Sequence, residues 1–181
     1  MKKIFLIIMV FTLVLQLQAQ FTKATLQATG LTCAMCSNAI NKALQKVSFV
    51  ESVKSDIKNS AFNILFKQNA NVDIDALKNA VEDAGFSVGS LKLSASFNEI
   101  KIANDQHVQI GDKQFCFLNV NNQTLNGEAT ITVVDKNFVT AKEFKKISSS
   151  TKMNCLQTGK ASSCCGIEGA SANTRVYHVT I

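Results

Sequence analysis

Between residues 25 and 93 the apolar residues fall into six runs, and the order of their periods leaves few folds open. Thr25-Leu26-Gln27-Ala28-Thr29 alternates apolar with polar, as a half-buried strand does, whereas Ala39, Ile40, Ala43, Leu44 and Val47 recur at helical spacing. The run from Val50 to Asp56 reads as a strand, a polar turn follows at Lys58-Asn59-Ser60, and Phe62, Ile64 and Phe66 alternate after it, which predicts a hairpin. Asp73 is placed to cap a second helix with Leu77, Ala80, Val81 and Ala84 on one face, and Gly85 is placed to stop it. A last strand is expected from Ser87 to Leu93. Strand, helix, strand, strand, helix, strand is the ferredoxin-like βαββαβ order. Its predicted core is Leu26, Ile40, Leu44, Val53, Phe62, Ile64, Leu77 and Val81.

The chemistry is concentrated where the first strand gives way to the first helix. Gly30-Leu31-Thr32-Cys33-Ala34-Met35-Cys36 puts two thiols at CxxC spacing. The first turn of a helix carries unpaired N–H groups and the positive end of the dipole, and both favour an anionic sulfur. Thiolates either bind soft metals or attack disulfides. A thioredoxin-like oxidoreductase needs a proline loop facing its dithiol and a different order of elements, and this chain contains no proline. Met35, between the cysteines, is a candidate third ligand or an apolar filler.

With the CxxC and the element order in agreement, residues 23–93 resemble the heavy-metal-associated domain, the module of copper chaperones, of metal-transport ATPase N-termini and of the periplasmic mercury-binding protein. The resemblance implies that Cys33 and Cys36 are the metal-binding thiolates. It places Leu31 where the family has methionine, in a position that packs under the loop. Asp83-Ala84-Gly85-Phe86 matches the family's exit from the second helix, so Phe86 either shields the loop or fills the core. Two thiolates on a flexible loop suit a soft ion of low coordination number, which favours Cu(I) and leaves Hg(II) or Zn(II) as alternatives. A two-cysteine site also leaves positions for a partner's ligands, so another metal-binding protein or a transporter is the expected recipient.

Lys2 and Lys3 precede an apolar run from Ile4 to Leu15 that ends in Leu17-Gln18-Ala19, the pattern of a secretory signal peptide. Residues 1–19 are therefore expected to be removed, with a periplasmic or secreted product and no membrane span after cleavage. In an oxidising compartment Cys33 and Cys36 can rest as a disulfide that must be reduced before metal binds. The net charge of +6 is spread along the chain without a basic cluster, and there is no tryptophan, so a nucleic-acid partner is not expected.

Residues 94–181 read as a second, mostly-β domain, a barrel or sandwich of possibly OB-like type. Strand-like runs are expected at 95–102, 107–110, 114–120, 128–134 and 175–181, with one helix opened by a Thr140/Glu143 capping box. The fold class is thus α+β overall. Met153, Cys155, Cys164, Cys165 and His178 form a candidate second soft-metal set. Disulfide pairing of Cys155 with Cys164 or Cys165 is the competing reading. Cys116, between Phe115 and Phe117, reads as a buried thiol or a further disulfide partner, and His107 as an ordinary strand histidine. No paired carboxylates, phosphate-binding glycine loop or nucleophile–histidine–acid spacing is evident, so no enzyme is expected. The expectation is an exported protein that sequesters or delivers Cu(I). A periplasmic Hg(II) scavenger is one alternative, and a metal-responsive interaction module whose second domain binds a protein or glycan is another.

Overall fold

The sheet built by the expected six elements does not stop at residue 93 but continues through the second half of the chain. The computed structural model describes residues 20–31, 33–161 and 173–181; the expected signal peptide, Thr32, Cys164 and Cys165 lie outside them. β1 (Gln20–Thr29) leads into α1 (Ala34–Gln45), and β2 (Val50–Asp56) and β3 (Ala61–Phe66) make the hairpin. α2 (Ile74–Asp83) then returns the chain to β4 (Ser87–Ile102). The order β2-β3-β1-β4 is antiparallel throughout, as a ferredoxin-like unit requires.

Local chemistry accounts for the boundaries. Asp73 Oδ1 accepts the backbone N–H groups of Asp75 and Ala76 at 3.0 and 3.2 Å, satisfying two otherwise unpaired donors at the start of α2. After α2, Gly85 adopts a positive φ of 87° and reverses the chain. All eight predicted core residues are buried, and they lie in one continuous cluster. Leu31 and Phe86 are half-buried against it, so Phe86 takes part in the packing of the core.

The second half corrects the expectation of a barrel or sandwich. β5 (Gln106–Ile110), β6 (Lys113–Phe117), β7 (Gln123–Val133) and β8 (Val176–Thr180) extend the first sheet to the order β2-β3-β1-β4-β7-β8-β6-β5. The reason lies in β4. Its 16 residues run through position 93 without a turn, pairing with β1 on one side and with β7 on the other. Residues 91–96 are therefore shared by both ladders, and the second group of strands adds to an existing edge. A bulge between Phe97 and Ile100, with Glu99 at φ 51°, bends the strand where it leaves β1 behind. β8 pairs parallel to β6 and antiparallel to β7.

Two short helices complete the described residues: α3 (Ala141–Ser150), capped by Thr140, whose Oγ1 accepts the Glu143 N–H at 3.3 Å, and α4 (Cys155–Thr158). Strand alternation sorts the residues of β6 and β8 between two cores. Phe115, Phe117, Tyr177 and Val179 join the main core with the residues of α1 and α2. Cys116 and Val176 face the other way, into a smaller core with Leu118, Val134, Val139 and Leu156, against which Phe144, Ile147 and Met153 pack.

The two halves are joined by specific contacts as well as by the sheet. Phe115 stacks between Phe21 and Tyr177, with ring centroids 5.8 and 5.7 Å apart. Arg175 donates from Nε and Nη2 to the two carboxylate oxygens of Asp75 at 2.9 and 3.2 Å, and Tyr177 donates its O–H to Asp75 at 3.0 Å. The guanidinium also lies 4.1 Å from the Tyr177 ring centre. Burial alone would raise the Asp75 pKa, but the Arg175 guanidinium outweighs it and holds the carboxyl below its ordinary value.

Candidate metal centre

The exposed dithiol is built by the end of one strand and the start of one helix. Gly30, at φ 81°, turns the chain out of β1 in a conformation that favours glycine, and Leu31 packs back toward the core. Cys33 is the N-cap of α1. Its sulfur accepts the Cys36 N–H at 3.4 Å, and its carbonyl accepts the Ser37 N–H at 3.3 Å. This geometry brings the Cys33 and Cys36 sulfurs to 2.8 Å, longer than the roughly 2.05 Å of a disulfide. Cys33 is exposed and Cys36 half-buried. Met35 is 82% exposed, so it fills no apolar gap.

A second group of sulfur and nitrogen donors lies on the sheet face covered by α3 and α4. Cys155 Sγ is 3.1 Å from His178 Nε2 and 3.9 Å from His107 Nε2, and the Cys116 thiol adjoins it. His178 Nδ1 lies 2.6 Å from Asp135 Oδ1, which also accepts the His178 backbone N–H at 3.2 Å. A carboxylate only accepts, so Nδ1 carries a proton, and in the neutral ring the Nε2 lone pair points at the thiol. Asp135 Oδ2 is buried without an aligned hydrogen bond, but it lies 2.9 Å from Arg175 Nη2 as an ion pair. Burial works against a charged His178, yet the Asp135 and Cys155 contacts raise its pKa on balance. The Cys116 contact and burial both push the Cys155 thiol up, so it stays protonated.

Of the residues singled out from sequence for a second site, Cys155 and His178 come together. Met153 is half-buried at the edge of the same small core. Cys155 and Cys116 are both free thiols. Sequence reasoning read Cys116 as a buried thiol and His107 as a strand histidine, which they are, but left both out of the second set and did not single out Asp135. The available signal was strand parity, because His107 and Cys116 sit at facing positions once β5 and β6 are paired. The cysteine–histidine–carboxylate order also escaped detection, since its members are 20 or more residues apart. That order serves nucleophilic catalysis elsewhere, but Cys155 and His178 are fully buried, beyond a substrate's reach. Among the described residues no group of three or more His, Cys, Asp or Glu side chains is placed, as it stands, to hold a metal ion.

A ferredoxin-like α+β unit with an exposed dithiol capping its first crossover helix defines a class of small dithiol-bearing domains. Residues 25–87 match the heavy-metal-associated domain, and the chain belongs to this family. A copper chaperone CopZ from Staphylococcus haemolyticus is 32% identical over 59 residues, which cover 33% of this chain and 85% of that protein. A mercuric transport protein periplasmic component from Serratia marcescens is 30% identical over 86 residues, covering 48% of this chain and 93% of that protein. The crystal structure of oxidized MerP from Ralstonia metallidurans CH34 superimposes with a TM-score of 0.35 at 30% identity, covering 38% of this chain and 97% of that one. Matches also extend to copper-transporting ATPases, of which this chain spans a tenth or less.

Proposed function

We propose that this chain binds a soft cation, Cu(I), through Cys33 and Cys36 and passes it to another metal-binding protein or to a transporter. The observation that carries the proposal is the pair of sulfurs 2.8 Å apart at a solvent-facing helix start. With metal–sulfur bonds of about 2.3 Å, two sulfurs on one ion stand roughly 3.8 Å apart at a tetrahedral angle. Seating the ion therefore requires the pair to open by about 1 Å, a movement that side-chain rotation on an exposed loop can supply. Two protein ligands leave the remaining positions to a partner's thiolates, so the ion can pass through a shared intermediate without being released to water. Exposed Met35 is placed to meet that partner.

The resemblance to the mercuric transport component supports Hg(II) as the alternative cargo of the same two sulfurs. The apolar segment before Gln20 supports an exported location, and no helix of the described residues is long and apolar enough to cross a membrane. Copper K-edge absorption of the reduced protein loaded with one equivalent of Cu(I) tests the reading. Sulfur-dominated coordination that is lost in C33S/C36S is expected, and a spectrum unchanged by that substitution would refute it. Addition of Hg(II) distinguishes the cargoes by whether it displaces the copper.

A further inference from the structure

Three adjacent strands place His107, Cys116 and His178 in one row. His107 faces Cys116 across the β5–β6 ladder, and Cys116 faces His178 across the β6–β8 ladder, so all three side chains leave the same face of the sheet. Cys155, from the first position of α4, descends onto that row and approaches both imidazoles. Cys116, Cys155 and His178 are fully buried, and His107 is half-buried on the edge strand β5.

We propose that His107, Cys116, Cys155 and His178 form a second, buried metal site that takes one thiophilic cation of tetrahedral preference, Zn(II) or Cu(I). The donor set is two thiols and two imidazoles, which suits either ion. With bonds of about 2.3 Å to sulfur and about 2.05 Å to nitrogen, a tetrahedral ion holds S and N roughly 3.5 Å apart. The two observed S–N separations, 3.1 and 3.9 Å, lie on either side of that value. The four donors are not gathered around one point as they stand, so coordination requires side-chain rotation that draws the other donors in around Cys155.

The surroundings of His178 favour the same assignment. A metal-binding histidine donates its other ring N–H to a carboxylate, which fixes the tautomer and aims the lone pair. Asp135 does this for His178 and is itself held by Arg175. Cys116 lies in the smaller core with Leu118, Val134 and Leu156, where a thiol is only a weak donor and acceptor and gains from a stronger partner. A cation supplies it: two S–H protons leave to solvent, two thiolates form, and the metal charge offsets theirs. The half-open side at His107, on the sheet edge, is the way in.

The site does not depend on the carrier reading of Cys33 and Cys36, and the test keeps the two apart. The reduced full chain and its C33S/C36S variant are titrated with Zn(II) alone and with Cu(I) alone against a chromophoric chelator. C33S/C36S is expected to retain one tight equivalent of at least one ion. C116S/C155S in that background removes it, and C164S/C165S in that background leaves it in place. Because buried cysteine substitutions can unfold the smaller core, His107→Ala and Asp135→Asn are measured as well, with folding checked by circular dichroism. Asp135→Asn is expected to weaken binding by about 10- to 100-fold, and His107→Ala by at least about tenfold. Absence of metal from C33S/C36S, survival of binding in the added C116S/C155S variant, or its loss in the C164S/C165S variant would overturn the proposal.

Discussion

Replacing Asp75 with alanine removes the carboxylate through which α2, from the first half of the chain, is tied to β8, from the second. Two hydrogen bonds from Arg175 and one from Tyr177 are lost together. Hydrogen bonds to charged groups contribute about 1.5–3 kcal/mol each when well shielded. Here the Asp75 and Arg175 side chains are about a third exposed, so water recovers part of each. Arg175 also keeps Asp135 and the carbonyls of Gly159 and Val176 as partners, so it is not left as an orphaned buried charge. The net loss should be roughly 2–3 kcal/mol, or about 5–10 °C in Tm for a chain of this length.

The pH dependence has a definite sign. The folded-state pKa of Asp75 lies below its ordinary value of 3.8, so its contribution is fully present above that value and disappears as pH falls through the lower, folded one. Urea unfolding of the wild-type and Asp75→Ala proteins, followed by circular dichroism, should show a constant gap between pH 5 and 8 that narrows in acid below pH 3.8. Both proteins should unfold in a single transition, because the halves share one sheet. A difference under about 0.5 kcal/mol, or an equal difference at acid pH, would refute the reasoning.

Two further substitutions probe other parts of the structure. Phe62→Ala empties a fully buried position in the middle of the main core, and urea denaturation should register a loss of about 3–5 kcal/mol. Gly159→Ala forces a side chain onto a residue at φ 66°, with its Cβ 2.6 Å from Arg175 Nη1. Thermal melts should show a loss of roughly 1–2 kcal/mol from the backbone term, plus whatever Arg175 gives up by moving.

The first half was legible because its signals are local. Leu26, Ile40 and Leu77 follow strand or helix periodicity, Asp73 and Gly85 mark the ends of α2, and the CxxC occupies a strand-to-helix junction. In the second half the same local cues located the strands and α3, but not how they assemble. Ser94, the first residue beyond the strand expected from Ser87 to Leu93, hydrogen-bonds Thr130 across β4 and β7 at 2.8 Å within the continuing ladder. A polar pair of this kind is invisible until the ladder is known. For the same reason the grouping of His107, Cys116 and Asp135 was not legible: they meet Cys155 and His178 only through strand pairing and the return of β8 beside β6.

The central claim is that the solvent-facing pair at the start of α1 is a metal-binding site. Its most direct test is a Cu(I) titration of the reduced protein and of C33S/C36S side by side, in competition with a chelator. The account predicts that the double variant binds one tight equivalent fewer than the wild type while keeping the same fold. Equal stoichiometry and equal affinity in the two proteins would contradict it.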